Sequence, residues 1–145
     1  MRKARKVVIA EDQSSDYELM KIAFDELSLG LELIHVKDGQ ELIDHLEKET
    51  LNQVALVMLD LDMPNVDGLE VLKKLYVDEE LKKVPVVVFS SVVKQDKIFE
   101  CYDFGANAFV KKPMTADEYS ETIGAIAGFW TDINVLPGFN TVDQH

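Results

Sequence analysis

Cysteine, basic residues and long apolar runs are all scarce in this chain of 145 residues. The single cysteine, Cys101, excludes an internal disulfide and fits a reducing, intracellular setting, so a cytoplasmic location is expected. No stretch approaches the roughly 20 apolar residues that a spanning helix needs, so no membrane partner is expected. The basic start, Met1 to Lys6, leads into an apolar run, Val7 to Ala10, which breaks at once on Glu11 and Asp12. That pattern is unlike a secretory signal. Lys and Arg number 15 against 27 Asp and Glu, a net charge of −12. Nucleic acid is therefore a poor candidate partner, because affinity for it is built on cations that neutralise phosphates. The clustered cations Arg2, Lys3, Arg5 and Lys6 read as a solubilising lead into a first strand.

What is present is ordinary for one globular domain: 47% hydrophobic and 29% charged residues, enough to bury a core without staples. Apolar runs of strand length alternate with amphipathic segments of helix length. The expected strands are Lys6–Ala10, Leu31–Val36, Ala55–Asp60, Pro85–Ser90 and Ala108–Lys111. Three of them contain the continuous runs VVIA, ALVML and VVVF, the pattern of strands covered on both faces. LELIHV is mixed in polarity and AFV is short, which suits sheet edges. Such alternation implies a parallel sheet with helices on both faces.

Four helix starts are marked by a capping residue three before a glutamate: Ser15 with Glu18, Asp38 with Glu41, Asp67 with Glu70 and Thr115 with Glu118. A further helix, about 94–104, lacks such a box and closes on Gly105, a suitable left-handed position. After Trp130 a short tail is expected, in which Pro137-Gly138 ends regular structure.

In an open parallel sheet, ligands bind at the carboxyl ends of the strands. Strand one ends in Glu11-Asp12, strand three in Asp60, strand four in Ser90-Ser91 and strand five in Lys111-Lys112-Pro113. Three carboxylates, a hydroxyl and an ammonium thus share one rim. Two like charges at ~4 Å repel by about 4 kcal/mol at an effective dielectric near 20. Something positive must offset that, and an oxygen-rich carboxylate site suits a hard cation such as Mg²⁺. A carboxylate beside such a metal can attack a phosphoryl group, with the hydroxyl and ammonium binding the transferred oxygens.

The ordered set Glu11-Asp12, Asp60 followed by LDMPNVDG, Ser90-Ser91 and GANAFVKKP resembles the receiver domains of two-component response regulators. The resemblance covers about residues 5–130, leaving 131–145 as a tail. It implies a flavodoxin-like, doubly wound α/β fold with a five-stranded parallel sheet of order 2-1-3-4-5. It implies a stand-alone receiver in a phosphorelay, not an enzyme. Asp60 is then the phosphoacceptor. Asp12 is the direct Mg²⁺ ligand of the acidic pair, Asp60 ligates the metal as well, Glu11 acts through water, and the backbone carbonyl of Asp62 is the third protein ligand. Ser90 is the switch hydroxyl, Phe109 the aromatic that follows it inward, and Lys112 the partner of the phosphoryl oxygens. The Lys112–Pro113 bond is expected to be cis, aiming that lysine into the site. Alternation along the strand turns Lys111 elsewhere. The stretch AIAGFWTDINVLP is similar to the ending of small receivers that partner bacterial phytochromes.

The expected partners are a sensor histidine kinase or phosphotransfer protein, and a downstream protein that reads the face made by helix four, strand five and helix five. A homodimer using Val135, Leu136 and Phe139 of the tail is a further expectation. Two rivals stand beside the receiver reading. The Asp60-Asp62 pair also fits the DxD of haloacid-dehalogenase-type phosphatases, although there the motif follows the first strand. A pseudo-receiver would keep the fold and bind a partner without phosphorylation, but it usually loses an acidic residue or the lysine, and here none is lost.

Overall fold

The computed structural model describes residues 5–63, 66–91 and 93–136. Five strands, β1 (Lys6–Ala10), β2 (Glu32–Val36), β3 (Val54–Leu59), β4 (Val86–Ser90) and β5 (Ala108–Lys111), alternate with five helices. The helices are α1 (Ser14–Leu27), α2 (Gly39–Lys48), α3 (Gly68–Tyr76), α4 (Gln95–Asp103) and α5 (Ala116–Gly128). All strands pair in parallel in the order β2-β1-β3-β4-β5. The expected strands fall within one residue of the observed ones, and the two weak runs, β2 and β5, are the edges.

Strand alternation divides the core into two layers. Val8, Val57 and Val88 face one side with Leu42, Leu46, Leu72 and Cys101 of α2, α3 and α4. Val7, Ile9, Met58 and Phe89 face the other, with Phe24 of α1 and Ile123 of α5. Every residue of β3 and β4 is buried. That is why those runs carry no polar alternation.

Three of the four expected helix caps form. Asp38, Asp67 and Thr115 accept from the backbone N–H groups of Glu41, Glu70 and Glu118. The fourth does not. α1 begins two residues early, with Gln13 at its cap and no side-chain cap bond, so Ser15 already lies inside the helix. The chain turns from β1 into α1 within three residues, and Gln13 N–H is taken by Glu11 Oε2 at 3.2 Å. Gly105 ends α4 at φ +89°. Beyond α5 the helical path continues as a wider turn over Phe129–Ile133, with Thr131 buried and its hydroxyl donating to Ala127 O at 2.6 Å. Trp130 and Leu136 pack against the α1/α5 layer, while Val135 is exposed. Residues 137–145, and with them the expectations for Pro137-Gly138 and Phe139, lie outside the described residues, as do Arg2 and Lys3.

Candidate functional site

The carboxyl rim of the sheet is built by backbone ladders that run one residue past each strand. Glu11 N donates to Val36 O at 3.0 Å, Asp60 N to Ala10 O at 3.1 Å, and Lys112 N to Ser90 O at 2.9 Å. The backbones of Glu11, Asp60 and Lys112 are therefore each fixed by the neighbouring strand. Glu11, Asp12 and Asp60 offer carboxylate oxygens that all lie within 4.8 Å of one another. The cluster straddles β1 and β3, where the strand order reverses, the usual ligand crevice of such sheets.

Lys112 supplies the opposing charge. Its Nζ stands 2.7 Å from Glu11 Oε1, 2.9 Å from Asp16 Oδ2 and 3.5 Å from Asp60 Oδ2. Burial alone would lower the lysine's pKa, but hydrogen bonds to Glu11 and Asp16 and the charges around it raise it. The ammonium thus stays charged. Glu11 is almost fully buried, and that burial pushes its carboxyl up to about 7 despite the lysine; the nearby charge of Asp60 acts in the same direction. Burial likewise raises Asp60 above the ordinary aspartate range, against the pull of Lys112. One ammonium among these carboxylates does not fully offset their desolvation.

The donor set fits a hard cation. Both oxygens of Glu11 have protein partners, Lys112 and Gln13 N–H, and both of Asp60 do, Asp62 N–H at 3.3 Å and Lys112. Asp12 Oδ1 is buried with no hydrogen-bond partner. An orphaned buried carboxylate oxygen is costly unless something electropositive meets it. Glu11, Asp12 and Asp60 would hold a divalent metal, which would supply positive charge to bound phosphoryl oxygens.

Ser90 closes β4 and is fully buried, opposite Lys111 in the β4–β5 register. Lys111 is exposed while Lys112 is buried, the alternation expected of neighbours on a strand. Phe109 is partly buried and packs against the α2/α3/α4 layer. Asp62 is exposed. The Lys112–Pro113 bond corrects one expectation. No peptide bond among the described residues is cis. The trans form carries the ordinary preference of X–Pro bonds, and the ladder bond from Lys112 N to Ser90 O already positions the lysine.

Three residues of the site escape a reading of motifs. Asp16, in the first turn of α1, binds Lys112, and Tyr119 of α5 donates to Asp16 Oδ1 at 3.4 Å. Burial and the Asp16 charge raise the Tyr119 hydroxyl to about 12. His35 Nε2 donates to Glu11 O at 2.7 Å, its ring stacked on Tyr17 with centroids 3.7 Å apart. The one signal for Asp16 is its place four residues after Asp12, at the start of the helix that the acidic pair leads into.

Sheet order and the acidic crevice at the β1/β3 switch point define a flavodoxin-like receiver fold. The chain belongs to the response regulator receiver domain family, whose model matches residues 7–124. Response regulator Rcp1 of Synechocystis sp. is 27% identical over 135 residues, covering 90% of this chain and 92% of Rcp1. The crystal structure of the phosphorylated cyanobacterial phytochrome response regulator RcpA superposes with a TM-score of 0.86 at 31% identity, covering 92% of this chain and 99% of RcpA. The Mn²⁺-bound form of Rcp1 gives a TM-score of 0.83 at 25% identity, covering 92% and 99%. Receiver domains are signalling modules that bind divalent metal and interact with histidine kinases or phosphotransfer proteins. Among the described residues, no helix is long and apolar enough to cross a membrane.

Proposed function

We propose that the chain is a phosphorylation switch in a two-component phosphorelay, with Asp60 as the phosphoacceptor and Mg²⁺ as the metal. The observation that carries this reading is the meeting of Asp60 with Glu11, the orphaned Asp12 oxygen and the Lys112 ammonium. A carboxylate oxygen of Asp60 attacks phosphorus in line with a phosphohistidine. The P–N bond breaks, and its electron pair leaves with the imidazole. Lys112 and Ser90 bind the equatorial oxygens, and Asp12, Asp60, Asp62 through its carbonyl and Glu11 through water would hold the metal. The acyl phosphate then biases a two-state equilibrium in which Ser90 engages the phosphoryl group and Phe109 turns inward.

The face of α4, β5 and α5 is the proposed output surface. Phe99 and Tyr102 of α4 and Met114 after β5 are exposed, apolar side chains available to a protein partner or a second copy of the chain. The phytochrome and bacteriophytochrome response regulators among the structural relatives support a phytochrome-type kinase as the donor. Membership of the receiver family leaves the phosphatase reading without support. A pseudo-receiver remains the contrasting outcome of the test. Incubated with acetyl phosphate and Mg²⁺, the protein gains one phosphoryl group by intact mass, and Asp60→Asn gains none. No gain from acetyl phosphate or from a cognate kinase would sink the switch and favour the pseudo-receiver.

A further inference from the structure

Lys112 is held by three carboxylates, but they are not equivalent. Glu11 and Asp60 belong to the cluster of oxygens that would take a cation, together with Asp12. Asp16 stands outside that cluster, on α1, 2.9 Å from the ammonium through Oδ2. Its other oxygen, Oδ1, accepts from Tyr119, whose ring is buried and held edge-on by Phe89 at 5.9 Å. Asp16 therefore ties α1, α5 and the end of β5 through one carboxylate. A divalent cation drawing on Glu11 and Asp60 weakens their hold on the ammonium and repels it directly. Asp16 is then the one carboxylate of the three on which the metal does not draw.

We propose that Asp16 is a positioning residue, the dock that retains Lys112 at the edge of the metal-loaded site until a phosphoryl group takes the ammonium from it. This inference rests on the phosphoacceptor reading of Asp60. An arriving phosphoryl group and the Asp16 carboxylate compete for the same charge-assisted hydrogen bonds, so the dock sets how readily the activated arrangement forms. Removing it releases the lysine to the phosphoryl oxygens.

The test uses fluoroberyllate, a non-hydrolysable stand-in for the phosphoryl group, titrated at saturating Mg²⁺. Asp16→Asn keeps the shape of the side chain and removes its charge. It is expected to bind fluoroberyllate about three- to tenfold tighter than the wild type, the range for a partly exposed ion pair. Asp16→Glu, which restores a carboxylate, returns to within about twofold of the wild type on the same scale. The ammonium supplies a readout that a change in the general field would not move. Its ¹H–¹⁵N signal in the Mg²⁺-bound wild type is expected to be protected from solvent exchange, and that protection is expected to be diminished in Asp16→Asn. Equal or weaker fluoroberyllate binding by Asp16→Asn, or undiminished protection of Lys112, overturns the dock and leaves the receiver reading standing. A wild type that binds no fluoroberyllate with Mg²⁺ overturns both.

Discussion

The ammonium nitrogen of Lys112 lies 2.7 Å from Oε1 of Glu11, an ion pair in which both side chains are almost wholly out of water. Removing the lysine leaves Glu11, Asp16 and Asp60 facing one another with no counter-charge. Lys112→Ala is therefore expected to lose about 3–5 kcal/mol of stability without metal at pH 8, the usual cost of stranding a buried charge. Urea unfolding measures it. Saturating Mg²⁺ is expected to recover part of the loss, and a change below about 1 kcal/mol would show that the pair is dispensable.

Glu11 makes the site sensitive to pH near neutrality. Its carboxyl ordinarily titrates at 4.5 and in the folded protein at about 7, chiefly because it is buried. Between those values the folded state holds a proton that the unfolded chain has released. Stability from this group therefore falls as pH rises through that window, and the full cost of the buried charge is present above it. Asp60, raised for the same reason, acts in the same direction. Lys112, raised instead, keeps its contribution throughout this range. Metal binding must expel the Glu11 proton at low pH. Calorimetric titration with Mg²⁺ is thus expected to show weaker binding with proton release at pH 6, and tighter binding with little release at pH 8.5. Identical affinities at the two pH values would contradict it.

Much of this was legible because period-two burial writes itself into composition. The runs VVIA, ALVML and VVVF fill both faces of the three central strands, so strand and sheet position could be read together. The carboxylates were legible because a strand end is marked by the break from apolar to acidic. Asp16 was not, because its meeting with Lys112 depends on how α1 leans against α5 across 96 residues of sequence. The start of α1 was misplaced for a related reason. The Ser15 and Glu18 spacing is sound locally, yet the turn out of β1 begins the helix two residues sooner.

Gly68 opens α3 directly beside the Asp60 loop, its N–H donating to Leu61 O at 3.0 Å. A Cβ there would stand 2.6 Å from both Asp60 O and Leu61 Cα, backbone atoms that cannot yield separately. Gly68→Ala is expected to cost about 1–3 kcal/mol, as overpacking does, and to slow phosphorylation by displacing Asp60. Gly124, inside α5, offers a contrast, since its Cβ would meet only Leu27 Cδ2 at 3.7 Å. Gly124→Ala is expected to gain about 0.5–1 kcal/mol, the difference in helix propensity. Thermal unfolding and acetyl phosphate labelling of the two variants separate close approach from backbone freedom. Equal effects would discount the loop contact.

Asp62 couples backbone and side chain in different ways. Its N–H donates to Asp60 Oδ1 at 3.3 Å, which any residue there could supply, while its side chain is exposed at the mouth of the site. Water that hydrolyses the acyl phosphate must reach phosphorus from solvent, opposite the Asp60 oxygen that leaves. A carboxylate at that mouth can orient such a water or repel an incoming anion. Asp62→Ala keeps the backbone donor, so Asp60 is expected to be phosphorylated still. The lifetime of the phosphorylated form is expected to change by about tenfold, less than the roughly hundredfold or more that a positioned general acid or base contributes. Loss of label from purified phosphoprotein, followed by intact mass with Mg²⁺ present, measures it. Identical decay in both proteins would place the Asp62 carboxylate outside the path of the water, and failure to label would mean that its side chain also shapes Asp60.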